Sequence, residues 1–188
     1  MLTQMPEPDH DWGFCFLDIE TTGLDPNKDE ILEVGLVFVS WDLESVLATY
    51  SHQIDFTIPI GQWSDVVVQM HEHSGLLRTL QEGSFPNVSI SSLNIEDDIT
   101  YVRDGNGWEK VILAGFSPHF DRSFLKVHMP RVEALFNYRM LDCSAFKVLA
   151  STIDLKVESE NPNPHRAIND CYEALAVARN MQEIFKRA

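Results

Sequence analysis

No apolar run in the sequence approaches the roughly 20 residues that a membrane-crossing helix requires, so no helical span is expected. Cysteine is scarce. Cys15, Cys143 and Cys171 are scattered, with no CxxC pair and no histidine at zinc-finger spacing. That excludes a zinc finger and a disulfide framework, and predicts reduced, buried or half-buried thiols in a cytosolic protein. The opening MLTQMPEPDHDWG is polar and acidic, unlike a secretory signal, so a cytoplasmic protein with a flexible N-terminus over residues 1–12 is expected. Repeats, low-complexity tracts and linkers are also lacking, and 188 residues suit one domain with a sizeable core. Positive charge is the most telling shortage: 14 Lys and Arg face 29 Asp and Glu, for a net charge of −15. Proteins that grip long nucleic acid neutralise several phosphates with basic side chains, so this balance argues against a long polynucleotide. A short oligonucleotide held mainly by metal ions remains compatible with it. Most of the acids read as a solvated surface.

What is present is an alternation of short apolar runs and amphipathic stretches. Phe14–Leu17 ends at Asp18, and Ile31–Val39 is apolar throughout except for Glu33 and Gly35. Both read as strands covered on two faces. The intervening TTGLDPNKDE is a turn, and Val46–Ile54 is expected to close an antiparallel meander. Ser64 is placed to cap a helix over Ser64–Met70. Ile95, Ile99 and Val102 predict an amphipathic helix stopped by Gly105. Val111–Ala114 reads as a buried strand, a helix is expected to begin near Pro118, and another spans Met140–Ala150 with Asp142 near its start. After NPNP, apolar residues from Ile168 through Cys171, Tyr172, Leu175, Ala178, Met181 and Ile184 to Phe185 describe one face of a long helix. Strands followed by alternating helices and strands predict an α/β domain with a mixed sheet flanked by helices.

Three groups of residues suggest chemistry. Asp18 and Glu20 alternate at the end of a buried strand, so their carboxylates point to the same side. Two acids converging there repel each other unless a proton or cation relieves them, and a hard divalent metal such as Mg²⁺ or Mn²⁺ prefers carboxylate oxygen. Asp121 follows the strand Val111–Ala114 in apolar surroundings; alone it reads as a first-turn acid complementing a helix dipole. His165 and Asp170 flank the start of the long helix, where singly each reads as an exposed polar residue.

Taken together, DIETTG (Asp18–Gly23), HFD (His119–Asp121) and HRAIND (His165–Asp170) resemble the three ordered motifs of the DEDD exonuclease superfamily. The histidine stands five residues before the last aspartate, and Arg166 occupies the place of tyrosine in the other form, so the resemblance is to the DEDDh subtype. It implies an RNase H-like mixed five-stranded sheet flanked by helices, forming one exonuclease domain over residues 1–188. It also implies two-metal hydrolysis of phosphodiesters from the 3′ end, releasing nucleoside 5′-monophosphates. Asp18, Glu20, Asp121 and Asp170 would hold two Mg²⁺ or Mn²⁺ ions. His165 would be the general base, a role suited to imidazole near neutral pH.

TGLDPNKDEILEVG, HEHSGL, FNYRMLDCSAFKVLA and the C-terminal helix further resemble the oligoribonuclease branch, which cleaves very short RNA. By that resemblance Thr22 and Gly23 would contact the 3′-terminal nucleotide, and Leu24 would wedge between the bases with His71 in the same pocket. Ser117, Arg139 and Ser144 would cap the 5′ phosphate, and Tyr138 would act across a homodimer interface. The partner would be short single-stranded RNA or short DNA, with no membrane involved. Two features depart from the branch. Its Asn-Ser-Ile-Gly-Gln-Asp is replaced by Phe116-Ser117-Pro118-His119-Phe120-Asp121, closer to proofreading and RNase T enzymes. Its tryptophan five residues before His71 is Val66, with Trp63 nearby. A general single-strand DNA or RNA exonuclease is therefore the alternative within the superfamily, and a catalytically silent binding protein the alternative outside it. The segment from Phe85 to Trp108 carries no motif.

Overall fold

The computed structural model describes residues 11–157, 159, 161 and 163–187. Five strands form one mixed sheet in the order β3-β2-β1-β4-β5. In chain order, β1 (Trp12–Thr21), β2 (Ile31–Val39) and β3 (Val46–Gln53) make the antiparallel meander. Two short helices, α1 (Asp65–His73) and α2 (Leu76–Glu82), lead into the long α3 (Val88–Gly105). Then follow β4 (Lys110–Gly115), α4 (His119–His128), α5 (Pro130–Glu133), β5 (Phe136–Asp142), α6 (Cys143–Ser151) and α7 (Ala167–Arg187). β4 pairs parallel to β1 and β5 parallel to β4, so helices must cross between them and cover both faces.

β1 lies at the centre, and alternate residues serve the two layers. Cys15, Leu17 and Ile19 pack with Ile95, Ile99, Phe124 and Val132 of α3, α4 and α5. Phe14 and Phe16 pack with Cys171, Ala174, Leu175 and Ala178 of α7. β2 is buried along its whole length, as two covered faces require. All three cysteines are buried and free, as expected. The Ser64 cap is also as expected: the Val67 N–H donates to Ser64 Oγ (3.3 Å).

Three expectations change. Met140–Asp142 is strand rather than helix. Parallel pairing with β4 claims these residues, and Asp142 then caps α6 from outside by accepting the Ser144 N–H (2.9 Å). α1 runs on to His73, and α2 after it was not foreseen. The helix expected on Ile95, Ile99 and Val102 is present as α3, capped by Asn87 and ending at Gly105 as expected. Tyr172, expected in the core, is exposed, with its hydroxyl bonded to that of Thr49 (2.9 Å). Of the expected flexible N-terminus, residues 1–10 lie outside the described residues, whereas Trp12 opens β1.

Candidate active site

Asp18 and Glu20 occupy the α7 face of β1, where the cross-strand neighbours on β2 are Gly35 and Glu33. Gly35 has no side chain to hold α7 away. A Cβ there would lie 2.6 Å from the backbone of Ala167 and Ile168, so the start of α7 rests directly on β2 opposite Asp18. Asp170 follows in the first turn of α7. Asp121 comes from the other layer. The pairing of β4 with β1 ends at Phe16 and Ala114, and beyond that point the Ile19 N–H donates to Asp121 Oδ1 (3.0 Å). A carboxylate thus takes the place of a missing strand partner.

These acids are close enough to repel one another. Burial, then Asp121, Glu20 and Asp170, hold the Asp18 carboxyl well above the usual range. Burial pushes Glu20 up to about 8, with Asp170 and Glu33 adding to the shift and Arg166 opposing it. Burial raises Asp121 to about 7 against the hydrogen bonds it accepts, and also raises Asp170. Glu20, His165 and Asp170 offer donor atoms that all lie within 4.8 Å of one another. His165 is exposed and adopts a left-handed backbone (φ 63°), its N–H donating to Asp170 Oδ2 (3.1 Å). Asn161 Nδ2 donates to the other oxygen of Asp170 (2.5 Å).

Two residues here had no assigned role in the sequence. Glu33 is wholly buried and accepts from Arg166, whose NH2 group lies 2.7 Å from Oε1 and whose Nε lies 3.1 Å from Oε2. It also accepts from the Ala167 N–H (3.0 Å) and Gln53 Nε2 (2.7 Å). The one sequence signal was the charge itself, standing in an otherwise apolar strand.

The residues assigned to substrate divide into three sets. Thr22, Gly23 and Leu24 form the turn after β1, fixed by Asp29: Thr22 Oγ1 bonds Asp29 Oδ1 (3.2 Å), and the Asp25 N–H donates to Asp29 Oδ2 (2.9 Å). That turn leaves Leu24 80% exposed beside the acids. His71 is fully buried under the same turn, with Nε2 2.9 Å from the Thr21 carbonyl. Burial lowers its pKa, so it is neutral, with Nε2 donating and Nδ1 facing Glu20 Oε2 at 3.8 Å. Trp63 packs edge-on against the His71 ring (6.1 Å), in the neighbourhood where the branch's tryptophan was missing. Ser117 and Ser144 meet through their hydroxyls (3.1 Å) at the end of β4. Tyr138 and Arg139 are not brought to them: both are exposed on edge strand β5, and the Arg139 guanidinium lies over Trp12 (5.5 Å) and Tyr138 (4.9 Å).

Comparison with known proteins agrees with this arrangement. The Exonuclease family of RNase T type matches residues 93–178, a span that includes Asp121, His165 and Asp170. An oligoribonuclease of Tropheryma whipplei is 35% identical, covering 96% of this chain and 95% of its own. One from Neisseria meningitidis serogroup B is 30% identical, covering 92% of each. Among solved structures, exonuclease I superposes with a TM-score of 0.72 at 14% identity over 91% of this chain. A zinc-bound complex of E. coli exonuclease I with single-stranded DNA gives 0.72 at 13% identity over 93%. This chain spans only 41% of either exonuclease I chain, and at that identity the likeness is one of fold. With the RNase H-like sheet, the convergent acids and near-full-length relatives in agreement, the chain belongs to the oligoribonuclease family of exonucleases.

Proposed function

We propose that this exonuclease hydrolyses short single-stranded RNA from the 3′ end, releasing nucleoside 5′-monophosphates. The observation that carries the reading is the set of four carboxyl groups, Asp18, Glu20, Asp121 and Asp170, each raised by burial where β1, α4 and α7 meet. Such a set is poorly stable as free anions, and its oxygen-rich donors fit hard divalent cations. Those four residues would hold two Mg²⁺ or Mn²⁺ ions. When bound, the ions would activate water and offset charge on the phosphate and the departing 3′ oxygen.

The chain's own groups supply the rest. His165, exposed beside Glu20 and Asp170, is the general base. An imidazole nitrogen takes a proton from the water as its oxygen bonds to phosphorus and the bond to the 3′ oxygen breaks. Leu24, displayed by the Asp29-fixed turn, packs between the last two bases, and Thr22 and Gly23 contact the terminal nucleotide. His71 lines the floor of that pocket. Ser117 and Ser144, joined at the end of β4, receive the 5′ phosphate, whereas Arg139, turned to Trp12, takes no part in it.

Substrate length follows from charge. A net charge of −15 disfavours a long strand, which needs a basic groove, whereas a short strand can be held by metals and a few polar contacts. The oligoribonuclease relatives favour the same substrate. Tyr138 (73% exposed) and Met140 leave apolar side chains uncovered on the edge strand β5. That edge favours a twofold dimer in which Tyr138 serves the partner's site. Residues 1–188 act as one exonuclease domain, and three free thiols suit the reducing cytoplasm.

A second reading, an exonuclease of longer DNA or RNA, is favoured by His119-Phe120-Asp121. Turnover of a 5′-labelled RNA dinucleotide against 20-mers of RNA and DNA separates the two. Faster cleavage of the dinucleotide is expected, and equal or better rates on a 20-mer overturn the short-RNA reading.

A further inference from the structure

We propose that Glu33 is the positioning residue of this site: through Arg166 and the Ala167 N–H it fixes the first turn of α7, and with it His165 and Asp170, over Asp18 and Glu20. The inference rests on the hydrolytic reading above and assigns the part that holds the site together.

A fully buried carboxylate in the middle of an apolar strand is an unfavourable choice for stability alone. Well-packed apolar residues serve as well as, or better than, a buried ion pair. Glu33 moreover stands directly across from Glu20 and adds to the repulsion there, while Arg166 offsets it. A clip needed only for folding gains nothing from that location. A clip that sets geometry must be there.

The contacts fit that task. Arg166 meets Glu33 in a two-point, planar pairing that fixes direction as well as distance. It is flanked by His165 on one side and Ala167 on the other, and Asp170 lies four residues on. Its carbonyl accepts the Asp170 N–H (3.1 Å), so one guanidinium governs both functional residues. The packing beneath sets how close α7 comes, Gly35 meeting the Ala167 backbone there, but offers no charged or bidentate contact to fix the direction of its first turn. Four donors from Arg166, Ala167 and Gln53 occupy the Glu33 oxygens, which leaves it an anchor rather than a fifth metal ligand.

The test uses the full chain with Arg166→Ala, Arg166→Lys and the paired Glu33→Gln/Arg166→Gln. Each is read by dinucleotide turnover, by Mn²⁺ titration followed by electron paramagnetic resonance, and by Tm. Misplacement by about 1 Å can lower a rate 10²-fold, and loss of a group that supports metal ligands weakens metal affinity roughly 10- to 100-fold. Arg166→Ala is therefore expected to lower kcat roughly 10- to 100-fold with KM changed less than about threefold. Its Mn²⁺ binding should weaken about tenfold, and Arg166→Lys should recover part of both losses. A folded Arg166→Ala protein whose kcat and Mn²⁺ affinity stay within about twofold of the native values overturns the proposal. So does a loss that merely tracks Tm and vanishes on cooling. If Arg166→Ala does not fold, the paired neutral variant gives the same readings without an unpaired buried charge. Wild-type protein that cleaves no RNA would sink the functional reading, yet the Mn²⁺ titration would still decide the anchor.

Discussion

Glu20 and Asp121 are buried and Asp18 lies beside them on β1, whereas His165 and Asp170 stand where α7 leaves an exposed loop. The first group is fixed by the sheet: β1 is hydrogen-bonded to β2 along its length, and Asp121 is locked to the Ile19 N–H. The second is held through side chains: Asp170 accepts from Asn161 Nδ2 and the His165 backbone N–H, and Arg166 pairs with Glu33. A divalent-metal site needs charge crowded together against its own repulsion, which only a rigid frame sustains. A general base must reach a water, accept a proton and release it, which requires solvent access. Under the proposed mechanism, that difference would put most of the metal binding on the sheet and proton transfer on the loop.

The largest expected effect tests the sheet half. Asp18→Ala should lower dinucleotide turnover by more than about 10⁴-fold, because residues acting as one unit fail together, and EDTA should do the same to the native protein. Activity that survives EDTA breaks the metal reading. His165→Ala should lower turnover roughly 10²- to 10⁴-fold while Mn²⁺ affinity largely survives. Because His165 also lies within ligating reach of Glu20 and Asp170, a large fall in Mn²⁺ affinity would instead make it a ligand and erase the division between the halves.

The same contrast explains what could be read in advance. Ile31–Val39 is apolar enough that its strand limits followed residue for residue, and the periodicity of α7 was equally plain. β5 was missed because an edge strand carrying exposed Tyr138, Arg139 and Met140 shows no apolar pattern. The five candidate residues stood out through the resemblance of their ordered motifs, DIETTG, HFD and HRAIND, since singly each reads as an ordinary polar residue. Glu33 did not, as its partner Arg166 lies 133 residues away and no local pattern joins them. Nor could spacing show that Arg139 turns toward Trp12, a direction set by an aromatic ring at the far end of β1.

The crowding of acids also predicts how stability responds to pH without metal. Glu20 is raised from 4.5 to about 8 and Asp121 from 3.8 to about 7, so both bind protons more tightly in the folded chain than in the unfolded one. Their contribution is fully present below the unfolded values and is lost as pH rises through about 7 to 8. Metal-free protein should therefore melt about 5 °C or more higher at about pH 6 than at pH 8.5, and Mn²⁺ should raise Tm more at the higher pH. At the acid end, Glu30 and Glu173 act in the opposite sense. Hydrogen bonds, from Thr57 and Ile58 to the first and from Ser159 and Lys147 to the second, outweigh burial and lower both values, so stability falls again below about pH 4.5. A Tm that is flat between pH 6 and 8.5 would mean that the sheet half is less crowded than its geometry implies.

The smallest effect concerns the seam between the halves. A methyl group added by Gly35→Ala would lie 2.6 Å from the α7 backbone, which has no rotamer with which to yield. Lifting the start of α7 should destabilise the protein by about 1–3 kcal/mol. It should also weaken Mn²⁺ binding, because Asp170 moves while Asp18 and Glu20 stay. Gly61→Ala is the matched control: nothing lies within 4 Å of its added carbon, so stability should change by less than about 0.5 kcal/mol. Calorimetry and Mn²⁺ titration on the pair settle whether close contact between α7 and β2 joins the two halves. Native behaviour of Gly35→Ala in both measurements would show that the arm is placed by its side chains alone.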